Sequence, residues 1–132
     1  MAIDPGTKRV GIAISDPLQM IASPYSVLHY KDYQQVVKDL LAIIAEKQVV
    51  KVIIGYPLRE DGTEGITSPL SHQLKAALEE RNIVVQLYDE RYSSFIAQQR
   101  LQQQGINSKK AKDKIDAMAA TVILEDYLST LK

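Results

Sequence analysis

Apolar residues alternate with small or polar residues near the start of the chain, which is the pattern of β-strands. The clearest example is residues 10–15, where valine and isoleucine take every second position. A shorter strand is predicted over residues 2–4, and a third at about 25–28. Because only short turns separate the three runs, they predict an antiparallel meander of three strands.

Helical and strand patterns alternate from residue 33 onwards. In the first predicted helix, apolar residues recur three or four positions apart: Tyr33, Val36, Val37, Leu40, Leu41 and Ile44. Asp32 precedes this helix as a candidate N-cap. Residues 49–54 are β-branched and apolar except for Lys51, which is typical of a central strand covered on both faces. The pattern further predicts a helix at 70–78 and another buried strand at 83–88.

Two final helices are predicted at about 93–103 and 109–130. Strand–helix–strand connections favour parallel pairing through right-handed crossovers. The chain is therefore predicted to have an α/β fold with a mixed five-stranded sheet and helices on both faces. Strands 1 to 3 form the antiparallel meander, and strands 4 and 5 are parallel. With 132 residues and no linker, a single domain over 1–132 is expected.

Composition restricts the classes of function. The chain has no cysteine, which excludes disulfides and thiolate metal sites and fits a cytoplasmic location. No apolar run reaches membrane-spanning length, so no membrane association is expected. Sixteen basic and sixteen acidic residues cancel. A nucleic-acid partner would therefore have to bind a local basic patch rather than a generally basic surface.

Candidate chemistry begins where the first predicted strand ends. Asp4 can ligate a hard cation there. Gly6 and Thr7 can turn backbone N–H groups toward an anion, and Lys8 and Arg9 can then offset phosphate charge. This order suits a phosphate and a metal ion held side by side. A polar turn between two strands would have a similar composition, so the motif alone leaves both interpretations open.

Two further carboxylates are expected to join Asp4 at one edge of the sheet. Glu90 follows the fifth predicted strand, and ligands of such sheets collect at the carboxyl ends of the parallel strands. Asp116 lies among alanines, whose small side chains allow its helix to approach the sheet. Singly, Glu90 could pair with a cation and Asp116 could be solvated. Together the three carboxylates predict a Mg²⁺-type site suited to phosphodiester hydrolysis.

Lysines crowd the start of the last predicted helix, just before Asp116: Lys109, Lys110, Lys112 and Lys114. A solvated helical face is the simpler interpretation of such a run. However, cations at a helix N-terminus oppose the helix dipole, so stability alone does not explain them. Their position beside the candidate site predicts contact with a nucleic-acid backbone.

Five sequence blocks, in order, resemble the YqgF (RuvX) family of small bacterial proteins with an RNase H-like, RuvC-like nuclease fold. The blocks are residues 4–11, 15–17, 55–58 with 61–65, 89–91 and 114–120. The resemblance implies that Asp4, Glu90 and Asp116 are the catalytic trio and bind Mg²⁺ or Mn²⁺. Arg91, in the fourth block, joins the predicted phosphate-binding residues. Family members carry a few more apolar residues ahead of the aspartate.

The resemblance implies a metal-dependent endonuclease, and family members are linked both to 5′-end maturation of 16S ribosomal RNA and to Holliday junction resolution. We favour precursor rRNA, or a ribosomal particle, as the partner. Branched DNA is the alternative, although symmetric nicking needs two sites on a two-fold axis and the sequence predicts a monomer or weak homodimer. A second alternative is that the protein is a non-catalytic module that binds RNA or the ribosome. Actin-like ATPases and sugar kinases share the turn after Asp4, but they need a second domain.

Overall fold

The computed structural model describes residues 1–6, 8–56, 68–89, 99 and 112–131, and the following elements lie within them. The strands are β1 (Ala2–Pro5), β2 (Arg9–Ser15), β3 (Ala22–His29), β4 (Val52–Tyr56) and β5 (Val85–Asp89). The helices are α1 (Tyr33–Glu46), α2 (Ser68–Glu79) and α3 (Lys112–Ser129). The helix predicted at 93–103 lies, apart from residue 99, outside the described residues.

The strands form one sheet in the order β3-β2-β1-β4-β5. β1 pairs antiparallel with β2 and parallel with β4, while β4 pairs parallel with β5. This confirms the predicted meander followed by parallel strands. Although β1 is only four residues long, it lies at the centre of the sheet, and its Ala2 and Ile3 are fully buried. Pairing on both sides therefore anchors the strand that carries Asp4.

The two faces of the sheet are covered by different helices, as predicted. Alternate side chains of a strand point to opposite faces. Ile3 packs with residues of α1 and α2, whereas Ala2 packs with residues of α3. Asp32 caps α1, because its carboxylate accepts a hydrogen bond of 2.9 Å from the Gln34 N–H. In the described part of the chain, no helix combines the length and apolarity needed to span a membrane.

The prediction of a buried fifth strand is wrong. β5 lies at the edge of the described sheet, its Val85 and Leu87 are only half-buried, and its Gln86 is exposed. An apolar run does not tell whether a strand has one neighbour or two. The fourth strand also begins later than predicted, at Val52 rather than at Val49. Val50 lies before the strand and is 74% exposed.

Candidate active site

The backbone of α3 touches the sheet at Gly11. A Cβ atom at this position would overlap the Asp116 carbonyl group and lie 3.1 Å from the backbone nitrogen of Ala117. Ala117 and Ala120 are buried where α3 meets the sheet. The predicted close approach of the alanine-rich helix is therefore confirmed. Its counterpart on the sheet, Gly11, was not predicted, because the need for glycine arises only from the packing of α3.

Asp4 and Asp116 converge on either side of Gly11. The register of β1 and β2 places Asp4 directly opposite Gly11. Ala2 packs on the α3 side of the sheet, and residues two apart on a strand share a face. The half-buried side chain of Asp4 therefore also lies on the α3 face. Two of the three predicted carboxylates are thus brought together, at the edge where the sequence predicts them.

The guanidinium group of Arg9 contacts Asp116. Its Nε donates a hydrogen bond of 2.5 Å to the Asp116 Oδ2, and the two side chains are 29% and 23% exposed. Charge-assisted hydrogen bonds of this kind are stronger than neutral ones. Arg9 was predicted to bind phosphate, and here it binds a predicted metal ligand. The two residues are 107 positions apart, so no local sequence signal indicates their contact.

Tyr30 holds the turn between β1 and β2. Its hydroxyl donates a hydrogen bond of 2.6 Å to the Gly6 carbonyl, and its backbone N–H donates one of 3.2 Å to the Lys8 carbonyl. Within the turn, the Gly6 N–H donates to the Arg9 carbonyl at 2.8 Å, so the prediction that this N–H faces an anion is wrong. Partial burial raises the pKa of Tyr30, which keeps the phenol protonated as a donor. The backbone that presents Lys8 and Arg9 is therefore fixed, and Tyr30 is a site residue that sequence reasoning missed.

The remaining predicted site residues are less fully described. Thr7, Glu90, Arg91, Lys109 and Lys110 lie outside the described residues, and so does the side chain of Lys112, the first residue of α3. Their assigned roles remain predictions. Lys114, of the same lysine run, is exposed on α3.

The donor chemistry of the described carboxylates suits a hard divalent cation. Asp4 and Asp116 offer only oxygen atoms, and Mg²⁺ characteristically uses one or two carboxylates and keeps several waters. Among the described residues, no group of three or more His, Cys, Asp or Glu side chains is placed to hold a metal ion. Glu90, the third predicted ligand, lies outside that set. The two described carboxylates, Asp4 and Asp116, therefore fit Mg²⁺ or Mn²⁺ as candidate ligands.

Comparison with known proteins identifies the family. The family model RuvX, described as a Holliday junction resolvase, matches residues 1–130. The chain belongs to the RuvX family. A relative from Maridesulfovibrio salexigens, named "Putative pre-16S rRNA nuclease", is 40% identical over 130 residues, which cover 98% of this chain and 96% of the relative. A relative of the same name from Thermus thermophilus is 34% identical over 128 residues, covering 97% and 95% of the two chains.

Solved structures with the same fold include two resolvases. T. thermophilus RuvC in complex with a Holliday junction substrate matches with a TM-score of 0.58 at 12% identity, covering 98% of this RuvX-family chain and 92% of RuvC. Fowlpox virus resolvase with Holliday junction DNA matches with a TM-score of 0.55 at 14% identity, covering 98% and 95%. At such low identities the likeness establishes the fold alone. It confirms the predicted RNase H-like, RuvC-like architecture.

Proposed function

We propose that this RuvX-family protein is a divalent-metal-dependent endonuclease that hydrolyses phosphodiester bonds of precursor 16S rRNA during 5′-end maturation. The names of its relatives support the substrate, and its family supports nuclease chemistry. The observation that carries the proposal is the convergence of Asp4 and Asp116 around Gly11. Two carboxylates on a close-packed edge of a resolvase fold suit the handling of a metal ion and a phosphodiester.

Each residue has a distinct part in this site. Asp4, Asp116 and Glu90 would hold Mg²⁺ or Mn²⁺, which supplies a Lewis acid for activating water and stabilising the leaving oxygen. β1 fixes Asp4 by pairing on both sides, and the contact with Gly11 fixes the backbone of Asp116. Precise placement of this kind is how an enzyme lowers the entropic cost of reaching the transition state.

The basic residues around the carboxylates would bind the nucleic-acid backbone. Lys8 and Arg9, at the turn before β2, are the described members of this set, and the backbone N–H of Thr7 remains a predicted contact. The Gly6 N–H is not available for a phosphate, because it donates to the Arg9 carbonyl. The other predicted contacts are Arg91, Lys109, Lys110 and Lys112. Because the net charge of the chain is zero, these local groups have to supply the attraction to a precursor rRNA or ribosomal particle in the cytoplasm. The protein would act as a monomer or weak homodimer.

A Holliday junction resolvase is the second candidate function. The description of the family model and the junction-bound structural relatives favour it. Resolution of a four-way junction requires two active sites related by a two-fold axis. A junction-cleaving protein would therefore be a dimer at the assay concentration, whereas cleavage of precursor rRNA needs one site.

The decisive experiment offers both substrates to the purified protein. Precursor 16S rRNA fragments and four-way DNA junctions are incubated with Mg²⁺, with Mn²⁺ and with chelator. Asp116→Asn tests the site, and Asp126→Asn, on the exposed part of the same helix, is the matched control. We expect metal-dependent cleavage of the rRNA, a loss of at least roughly 100-fold in Asp116→Asn, and near-normal cleavage by the control.

Three outcomes would contradict the proposal. Cleavage that persists in chelator would remove the metal from the mechanism. Wild-type cleavage by Asp116→Asn would remove that carboxylate from the site. Symmetric nicking of junctions by a dimer, with the rRNA left intact, would establish the resolvase function instead.

A further inference from the structure

Arg9 contacts a predicted metal ligand and also lies at the predicted phosphate-binding turn. We propose that Arg9 is a built-in counter-cation of Asp116 in the metal-free protein. A divalent cation that binds the carboxylates displaces the guanidinium, which then binds a phosphate of the substrate. This inference rests on the proposed function, since it requires a metal at Asp4 and Asp116.

The geometry fixes the two backbones and leaves the two side chains able to part. Asp116 is held at its main chain by the contact with Gly11. Arg9 is held at its carbonyl by the Gly6 N–H, within the turn that Tyr30 clamps. The Arg9 side chain is nevertheless 29% exposed. A change of its side-chain rotamers therefore moves the guanidinium toward solvent without any movement of the sheet or of α3.

Electrostatics makes the metal and the guanidinium competitors. Asp4 and Asp116 carry like charges beside Gly11, and Arg9 offsets the charge of Asp116. A divalent ion brings two positive charges to the same oxygens and repels the guanidinium. A partly exposed ion pair of this kind contributes little. The competition should therefore weaken metal binding by a modest factor of roughly three to ten.

The released guanidinium stays at the edge of the sheet where a phosphate would bind. Arg9 is the first residue of β2 and follows directly on exposed Lys8 in the turn. The planar guanidinium matches two phosphate oxygens at once, which a lysine ammonium does not. Metal and nucleic acid would then bind with positive coupling, because each favours the state in which Arg9 has left Asp116. Such coupling is reciprocal.

The first test measures the affinity of the protein for Mn²⁺ alone, by titration followed with electron paramagnetic resonance. Arg9→Gln should bind Mn²⁺ roughly three- to tenfold more tightly than wild type. Lys8→Gln is the matched control, because it removes the same charge from the same turn at an exposed position. Its affinity should change less than twofold, since solvent and salt screen that charge.

The failures of the two proposals give different results. Unchanged or weaker Mn²⁺ binding by a folded Arg9→Gln variant, beside a wild type that binds, overturns the counter-cation role alone. A wild type that does not bind Mn²⁺ overturns the metal-dependent function and, with it, this inference. If Lys8→Gln tightens Mn²⁺ binding as much as Arg9→Gln does, the effect is one of general charge. That result would also overturn the specific role of the Arg9–Asp116 pair.

A second test uses the wild-type protein and so avoids any folding defect of a variant. The Arg9 Nε–H resonance is identified by its absence in Arg9→Lys and followed by NMR during titration with Mg²⁺. We expect this resonance to shift and to exchange faster with water as the hydrogen bond to Asp116 breaks. The resonance of exposed Arg81 is the internal control and should not move. An unmoved Arg9 resonance at saturating Mg²⁺ overturns the displacement.

A third test concerns the phosphate contact. The affinity for a single-stranded RNA oligonucleotide is measured against salt concentration, once in chelator and once with Ca²⁺, for wild type and Arg9→Gln. With Ca²⁺, the slope of log affinity against log salt concentration should be shallower by about 0.7 for Arg9→Gln than for wild type, which is the amount for one phosphate contact. In chelator, the slopes should agree. Equal loss in both conditions, or no loss with Ca²⁺, overturns the proposed transfer of Arg9 from Asp116 to phosphate.

Discussion

The described residues place a cavity at one end of β1 and the predicted chemistry at the other. At the amino end of β1, a cavity of about 710 Å³ opens between Met1, Ile14 and Leu128, among other residues. At the carboxyl end, Asp4, Arg9 and Asp116 are packed closely around one glycine. The residues that line this cavity include none of the predicted site residues. The presence of this cavity therefore does not locate the predicted site.

The electrostatics of the two ends supports the same distinction. Burial lowers the pKa of the Met1 amino group beside the cavity to about 6, so this group loses much of its charge at neutral pH. The Met1 nitrogen donates a hydrogen bond of 3.0 Å to the neutral carbonyl of Lys51. At the carboxyl end, by contrast, the charged Arg9 is paired with a carboxylate. Burial thus disfavours the Met1 cation at one end, whereas a carboxylate balances the Arg9 cation at the other.

The strongest test of this comparison is Gly11→Ala. The added methyl group would overlap the Asp116 carbonyl, so α3 must move away from the sheet. We expect a loss of about 1–3 kcal/mol in the free energy of unfolding, as for other overpacked sites. Cleavage should fall roughly 100-fold, because displacements of about 1 Å at a catalytic site have that effect. Denaturant unfolding and rRNA cleavage measure the two losses, and wild-type cleavage by Gly11→Ala would show that close packing of α3 is unnecessary.

The fold was largely predictable because local periodicity encodes it. Strand alternation and helical spacing correctly predicted the order of the described elements, the direction of strand pairing and the cap at Asp32. The edge position of β5 was not predictable in this way, because an apolar run has the same appearance at the centre and at the edge of a sheet.

The candidate site was predictable only in part. The position of Asp4 followed from the rule that ligands collect at the carboxyl ends of parallel strands. That of Asp116 followed from the alanines that let its helix approach the sheet. The hydrogen bonds of Arg9 to Asp116 and of Tyr30 to Gly6 join residues 107 and 24 positions apart. Such contacts depend on how the elements pack, and no spacing in the sequence signals them. Positioning residues are therefore harder to predict than ligands.

A smaller effect is expected from Tyr30→Phe, which sharpens the picture of a rigid turn at the site. The variant loses the hydrogen bond to the Gly6 carbonyl while keeping the ring in place. One such bond contributes about 0.5–1.5 kcal/mol to the free energy of unfolding. Cleavage should fall several-fold, because Lys8 and Arg9 are then held less firmly. Tyr25→Phe, on exposed β3, is the control; an equal loss of cleavage there would contradict a specific role for Tyr30.

Alkaline pH should reproduce the loss of this bond without a mutation. Burial raises the pKa of Tyr30 above its unfolded value, so the folded state holds the phenolic proton more tightly. The stabilisation is fully present below about pH 10 and is lost as the pH rises through the folded pKa. The stability difference between wild type and Tyr30→Phe should therefore shrink above about pH 10. A difference that is constant across that range would show that Tyr30 does not act through its proton.

The smallest effect on the site is expected from Leu128→Ala, which enlarges the cavity at the opposite end. Leu128 is 5% exposed and lines that cavity, so its truncation should cost about 2–3 kcal/mol of unfolding free energy. This destabilisation is comparable to that of Gly11→Ala, yet Mn²⁺ affinity and cleavage should stay within twofold of wild type at temperatures where the variant is folded. Comparison of Leu128→Ala with Gly11→Ala therefore separates the effect of lost stability from the effect of lost site geometry. If Leu128→Ala reduces cleavage as strongly as Gly11→Ala does, the two ends of the sheet are coupled, and the site extends beyond the residues around the carboxylates.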